Sequence, residues 1–353
     1  MSQQATENSG VGPRPLPVAL SETLGADGGL ICGYRLRPGG VPQEIPAEGV
    51  APALSQIQSG ATDAVVWLHF NLSDARARRW LLDATFLPEA LRELWRDHDG
   101  NRRVEMVEDG LLLVVNDFSY DDASDPSEVA PLWCFANRRL LITARLHPLR
   151  SADELRLQMR SQFTATSGID LAAQLLDLRT SRVKRLANQM TDQLDDIEDK
   201  ILAGKIEQQR ELLGRNRRLC ARMRRQFAPE RSDLNRFLHR PSGALEPDDR
   251  DALQSCTDTL AFALEEISEL YERAKLLQEE LASRLAESTG RNLYVLSILT
   301  AVLLPMTLVT GIFGMNVGGL PGLHGGHAFW WVMLLILASG AVTLAAFFWR
   351  RLL

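Results

Sequence analysis

Apolar and polar positions along the chain change period three times. Between residues 31 and 145 short apolar runs rich in Val, Ile, Leu and aromatics are separated by polar breaks, which predicts strands over 31–36, 65–72, 104–107, 111–120, 132–136 and 140–145. The breaks at Asp109-Gly110 and Asn137-Arg138 predict hairpins. Helical spacing over 74–85 and 88–98 lies between these runs, with Ser73 as the expected N-cap, so the segment reads as a mixed α/β layer domain. From Asp170 to about His239 the period lengthens to near-heptad, and two helices broken near Gly204 are expected. Residues 247–313 then contain no proline between Pro247 and Pro305 and predict one helix of roughly 100 Å, a stalk that runs straight on.

At Arg291 the alternation with charge stops. Residues 292–349 hold no Asp, Glu, Lys or Arg, and the two apolar stretches 293–313 and 328–349 are each long enough, at roughly 32 Å, for a hydrocarbon core of about 30 Å. Both predict membrane-spanning helices. Arg291 precedes the first, Arg350 and Arg351 follow the second, and the connection 316–327 has no Lys or Arg, which predicts cytoplasmic termini and an external connection. Trp330, Trp331 and Trp349 fall where an aromatic belt would lie.

Composition sharpens this division. The 353 residues carry 39 Lys+Arg against 45 Asp+Glu, a net of −6, and because only Arg291, Arg350 and Arg351 follow Thr289, the part before it holds 36 against 45, a net of −9. An acidic soluble part argues against a nucleic-acid partner, which needs basic surplus. The whole is neither disordered nor a disulfide scaffold. Cys32, Cys134, Cys220 and Cys256 form no CxxC pair, and the polar N-terminus lacks a secretory apolar segment, so reduced thiols in a cytosolic domain are expected and structural zinc through thiolates is not. No GxSxG, GxxxxGK[ST] or GxGxxG occurs, so no enzyme is expected. His69 reads as a packed or surface strand residue.

Candidate chemistry concentrates on faces. At 100° per residue Leu293, Leu296, Ser297, Thr300, Leu304 and Thr307 share one stripe with Gly311 and Gly314, while Pro305 lies opposite. The stripe fits a pore wall built from several copies or a small-residue helix seam, and periodicity leaves the two even. Counting back in sevens from Leu293 reaches Glu279, Glu272 and Glu265, a cytosolic vestibule in line with the stripe if the helices supercoil, or an exposed face if they drift about 20° per heptad. The run Asp192, Asp195, Asp196, Glu198 and Asp199 is a solvated face or a metal-sensing surface. Six arginines between Arg215 and Arg225 balance those acids or approach anionic headgroups.

The run Leu304-Pro305-Met306-Thr307-Leu308-Val309-Thr310-Gly311-Ile312-Phe313-Gly314-Met315-Asn316, continued by Val317-Gly318-Gly319-Leu320-Pro321-Gly322, resembles the signature of the CorA family of divalent metal ion transporters and looks like its zinc-transporting ZntB branch. The resemblance extends over about residues 30–353. It implies an α+β membrane protein divided as 1–20 mobile tail, 21–165 cytosolic α/β domain, 166–290 long helices, 291–316 pore-lining first span, 317–327 external loop, 328–349 second span and 350–353 basic tail. It further implies a homopentamer in a bacterial inner membrane, ions passing Leu293, Leu296, Thr300, Leu304 and Thr307, and Gly314, Met315 and Asn316 at the pore entrance. Independently of the family, an asparagine carbonyl accepts hydrogen bonds from the water around a cation without trapping it as a carboxylate would. The loop lacks the acids usual in the magnesium branch and offers His324 and His327 instead, ligands better suited to zinc or bystanders in a Gly-rich loop. The expected cargo is Zn2+, with Cd2+, Ni2+ and Co2+ as further candidates, no cofactor, and proton-linked uptake. The alternatives are a Mg2+ channel and a non-conducting membrane-anchored sensor.

Overall fold

The computed structural model describes residues 29–120, 128–161, 163–205, 208–240, 245–315 and 327–352. The chain separates into two compact units, residues 1–275 and 276–353.

In the first unit seven strands, β1 (Leu30–Leu36), β2 (Gln43–Glu44), β3 (Val65–Asn71), β4 (Arg103–Val107), β5 (Gly110–Phe118), β6 (Val129–Ala136) and β7 (Leu140–Arg145), form one sheet in the order β2-β1-β3-β7-β6-β5-β4. Only β3 and β7 pair in parallel. Both faces are covered, which is why β5 reads as an unbroken apolar run rather than an alternation. Leu111, Leu113 and Val115 join one core, and Leu112 and Val114 the other.

The second of these cores packs under α1 (Ala47–Gln58), α2 (Ala75–Asp83) and α3 (Glu89–Asp97). The first packs under α4 (Arg150–Gln158), α5 (Gly168–Leu202), α6 (Gln209–Leu238) and the start of α7 (Pro247–Phe313). The sequence pattern signals neither α1 nor α4. Pro46, Gly49 and Pro52 obscure the period of α1, whose inward residues are Val50, Ala53 and Leu54. The N-cap of α2 is Asp74, not Ser73: the Asp74 carboxylate accepts from Arg76 N at 2.8 Å, while Ser73 Oγ donates to Leu146 O at 3.0 Å.

The β4–β5 hairpin turns on Glu108, whose φ is +54°, and Gly110 already belongs to β5. The β6–β7 turn is held by Asn137 Oδ1, which accepts from Arg139 N at 3.1 Å and Leu140 N at 3.0 Å. Helix α5 ends in a Schellman motif: Lys205 N donates to Lys200 O at 2.9 Å and Gly204 N to Ile201 O at 3.1 Å, with Gly204 at φ +77°. A buried charge pins three elements together. Arg179 on α5 pairs with Glu230 on α6, and its Nη1 donates to Asn116 O on β5 at 3.0 Å.

The second unit contains the end of α7 and all of α8 (Ala328–Leu352). These are two helices long and apolar enough to cross a membrane, and none of the most apolar window of α7 is buried within the chain. A helix in the core of this chain would bury that surface.

Candidate ion pathway

Where α7 and α8 pack, the contact settles which side of α7 remains open. Tyr294 meets Phe347 edge-on at 6.4 Å between ring centroids, and Met306 lies over Gly340 so closely that a Cβ there would stand 2.0 Å from Met306 Cε. Ile298, Val302, Pro305, Met306, Val309 and Phe313 are half-buried, a stripe at three- and four-residue spacing that marks the α8 side. By helix geometry the line through Leu293, Thr300, Leu304 and Thr307 lies about 180° away. All four residues, with Leu296, are exposed.

The hydroxyls on this open side are oriented by their own helix. Ser297 Oγ donates to Leu293 O at 2.8 Å, Thr300 Oγ1 to Leu296 O at 2.9 Å, and Thr307 Oγ1 lies 3.0 and 2.9 Å from the carbonyls of Leu303 and Leu304. Each hydroxyl proton is therefore occupied, and what remains for a ligand is oxygen lone pairs. The bands of Leu293, Leu296 and Leu304 alternate with these acceptors.

At its C-terminal end α7 stops at Phe313, and Gly314 and the exposed Met315 follow. Asn316 and His324 lie outside the described residues. His327 is exposed, and its carbonyl accepts from Trp330 N at 3.1 Å and Trp331 N at 3.2 Å, so its backbone caps the first turn of α8. Trp330, Trp331 and Trp349 are all exposed.

Glu265, Glu272 and Glu279 are exposed on α7, and Glu272 lies 3.7 Å from Lys275. The acidic run on α5 is engaged within its own chain: Arg273 of α7 pairs with Asp195 at 2.7 Å and with Glu198, and Lys200 pairs with Asp196. The hydrogen bond to Glu198 foremost, and that to Asp195, raise the Arg273 pKa. Among the described residues no group of three His, Cys, Asp or Glu side chains is placed to hold a metal ion.

The remaining candidates are structural. His69 is buried, with Nδ1 2.7 Å from Thr143 Oγ1, and its pKa is pushed down to about 3 by burial and then by Arg145. All four cysteines are buried, and burial raises each thiol pKa, that of Cys220 to about 11 and those of Cys32 and Cys256 to about 12.

The sequence matches the family profile described as CorA-like Mg2+ transporter protein over residues 62–351. It is 29% identical over 330 residues to the divalent cation transporter CmaX of Pseudomonas aeruginosa, covering 93% of this chain and 97% of that one. It is 24% identical over 299 residues to the zinc transport protein ZntB of Yersinia enterocolitica, covering 84% and 91%. The solved structure of full-length CmaX superposes with a TM-score of 0.72 at 28% identity, over 92% of this chain and 98% of that one. With the matching profile spanning most of its length, including both apolar helices, the chain belongs to the CorA family of divalent-cation transporters.

Proposed function

We propose that the chain is an inner-membrane transporter of Zn2+ and related divalent cations, working as a homopentamer whose central pore is lined by the first span. The observation that carries this reading is the stripe of Leu293, Leu296, Thr300, Leu304 and Thr307: it faces away from α8, it is exposed within the protomer, and its hydroxyl protons are satisfied internally. Several such stripes around an axis make a tube of acceptor oxygens separated by apolar rings. A hydrated cation is a good ligand for acceptors, and leucine rings gate by dewetting. Gly314, Met315 and Asn316 stand at its entrance in this reading.

Zinc is favoured over magnesium by an external connection without acids, where His324 and His327 supply the nitrogen ligands that zinc prefers, and by relatives named as zinc transport proteins. Both termini are cytoplasmic on the distribution of Arg291, Arg350 and Arg351. Uptake is linked to protons in this proposal. The family profile's description as a Mg2+ transporter makes a magnesium channel the second reading.

The test is uptake of Zn2+ and of Mg2+ into proteoliposomes carrying a metal-sensitive dye, with and without an inward proton gradient, for the native chain and Asn316→Ala. Zinc flux that rises with the gradient and is lost in the mutant is expected. Magnesium flux indifferent to protons would establish the second reading, and no flux of either metal would overturn transport in favour of a sensor.

A further inference from the structure

Two exposed faces in the first unit complement each other in charge, and among the described residues no ion pair joins them within the chain. On α6, Arg210, Arg217, Arg224 and Arg231 recur every seventh residue, and the positions between them on the same stripe are Gly214, Ala221 and Ala228. Arg210, Arg217, Arg224, Ala221, Ala228 and Arg231 are exposed. Arg217 and Arg231 have no ion pair among the described residues, and Arg224 stacks its guanidinium 5.5 Å from the Tyr271 ring. Large charged residues bracketing small ones at this period leave shallow holes along a helix.

On α7 the exposed positions Asp258, Phe262, Glu265, Glu269 and Glu272 follow at alternating spacings of four and three. Asp258, Glu265 and Glu272 repeat every seventh residue, the same period as the arginines. Phe262 and Glu269 fall between them, where α6 has its small residues. Phe262 is 69% exposed, the largest apolar side chain on that face of the unit.

We propose that the arginine stripe of α6 is the docking face for the acidic stripe of α7 of a second copy of this chain, with Phe262 of one copy seated among Gly214, Ala221 and Ala228 of the next. The inference rests on the oligomeric reading above and assigns the surfaces that close the ring. Because each copy carries both faces and they differ, the contact is heterologous and head-to-tail, the kind that generates a closed ring. Charge sets partner choice and register, as at the flanking positions of paired helices, and the knob-and-hole fit supplies the apolar contact.

The test compares the full chain in detergent with two reversals, Arg217→Glu with Arg224→Glu and Glu265→Arg with Glu272→Arg, and with the chain carrying all four. Mass photometry over a dilution series reads the midpoint of disassembly. Each reversal should raise that midpoint by about tenfold or more, and the four-site chain should recover to within about threefold of the native value, since surface pairs contribute a few tenths to 1 kcal/mol each and several act together. All four positions that change are exposed, and circular dichroism checks that each variant is folded. An assembled native chain indifferent to both reversals, a response to only one reversal, or a four-site chain no better than either parent would overturn the interface while leaving the oligomeric reading intact. A native chain that is monomeric at all concentrations would overturn that reading itself.

Discussion

The pair Arg179–Glu230 allows a sharp test of how the first unit is held. Both side chains are almost wholly buried, at 1% and 0% exposure, on helices α5 and α6 that only tertiary packing brings together. Burial works against the arginine's charge, but the charge and hydrogen bond of Glu230 outweigh it and raise the Arg179 pKa. Removing one partner leaves the other charge in a site that cannot solvate it, at a cost of about 3–5 kcal/mol. Arg179→Met and Glu230→Leu singly should therefore each lower the unfolding temperature of the first unit by roughly 6–20 °C, at about 2–4 °C per kcal/mol for a unit of this size. The double variant removes both charges and should lose far less, mainly the hydrogen bond from Arg179 Nη1 to Asn116 O, about 1 kcal/mol. The assay is scanning fluorimetry of the full chain in detergent near neutral pH, followed through the buried tryptophans. A double variant whose loss equals the sum of the two singles would refute the reasoning, because uncoupled sites add and a desolvated pair does not.

Two further predictions concern protons and the pathway. His69 is held neutral, so between its ordinary pKa near 6.5 and the depressed value of about 3 the unfolded chain binds a proton that the folded chain does not. Its contribution is present above about pH 6.5 and is lost progressively as pH falls, by about 2 kcal/mol at pH 5; His69→Phe should flatten the fall in unfolding temperature between pH 7 and pH 5, and an unchanged slope would rule this out. In Thr300→Val with Thr307→Val the lost hydroxyls bond only to their own helix, so stability should change by at most about 1 kcal/mol per site while zinc uptake falls about tenfold or more. Thr310→Val, off that line, serves as the control, and equal uptake in all three chains would remove the stripe from the pathway.

The long-period elements were the most legible in the sequence. Val183, Leu186, Met190 and Leu194 are buried along α5 as their spacing requires, and Gly204 ends that helix because only a left-handed residue completes its cap. Local competition hid the rest. Pro52 in α1 breaks the pattern by which a helix is recognised, although its helix survives on packing. Ser73 and Asp74 are both good caps, and a tertiary partner, Leu146 O, takes the serine. The stripe of Thr300 and Thr307 was visible as a stripe but not as a side, since its meaning depends on where α8 lies, and Gly340 beneath Met306 is what fixes that. The arginine repeat on α6 had the same difficulty: a seven-residue spacing of charges carries information only once the buried face of Leu213, Cys220 and Phe227 is known.

The composition of the first span constrains how protons can act. Residues 292–323 contain no Asp, Glu, Lys, Arg or His, and the hydroxyls on the open side of the first span donate their hydrogen bonds to backbone carbonyls. A proton therefore has no side-chain carrier across the apolar region, in contrast to relays built from intramembrane carboxylates and histidines. Any coupling must then be exerted outside the apolar region, at His324 or His327 of the connection or on the glutamates of α7. A titrating group at an end changes the local concentration of cations or the closure of a ring, and both effects alter the rate of flux without fixing a ratio of protons to metal. Proton dependence arising in this way should saturate with external pH and give no constant stoichiometry, whereas a fixed ratio would require an ionisable carrier inside the spans, which this sequence does not supply.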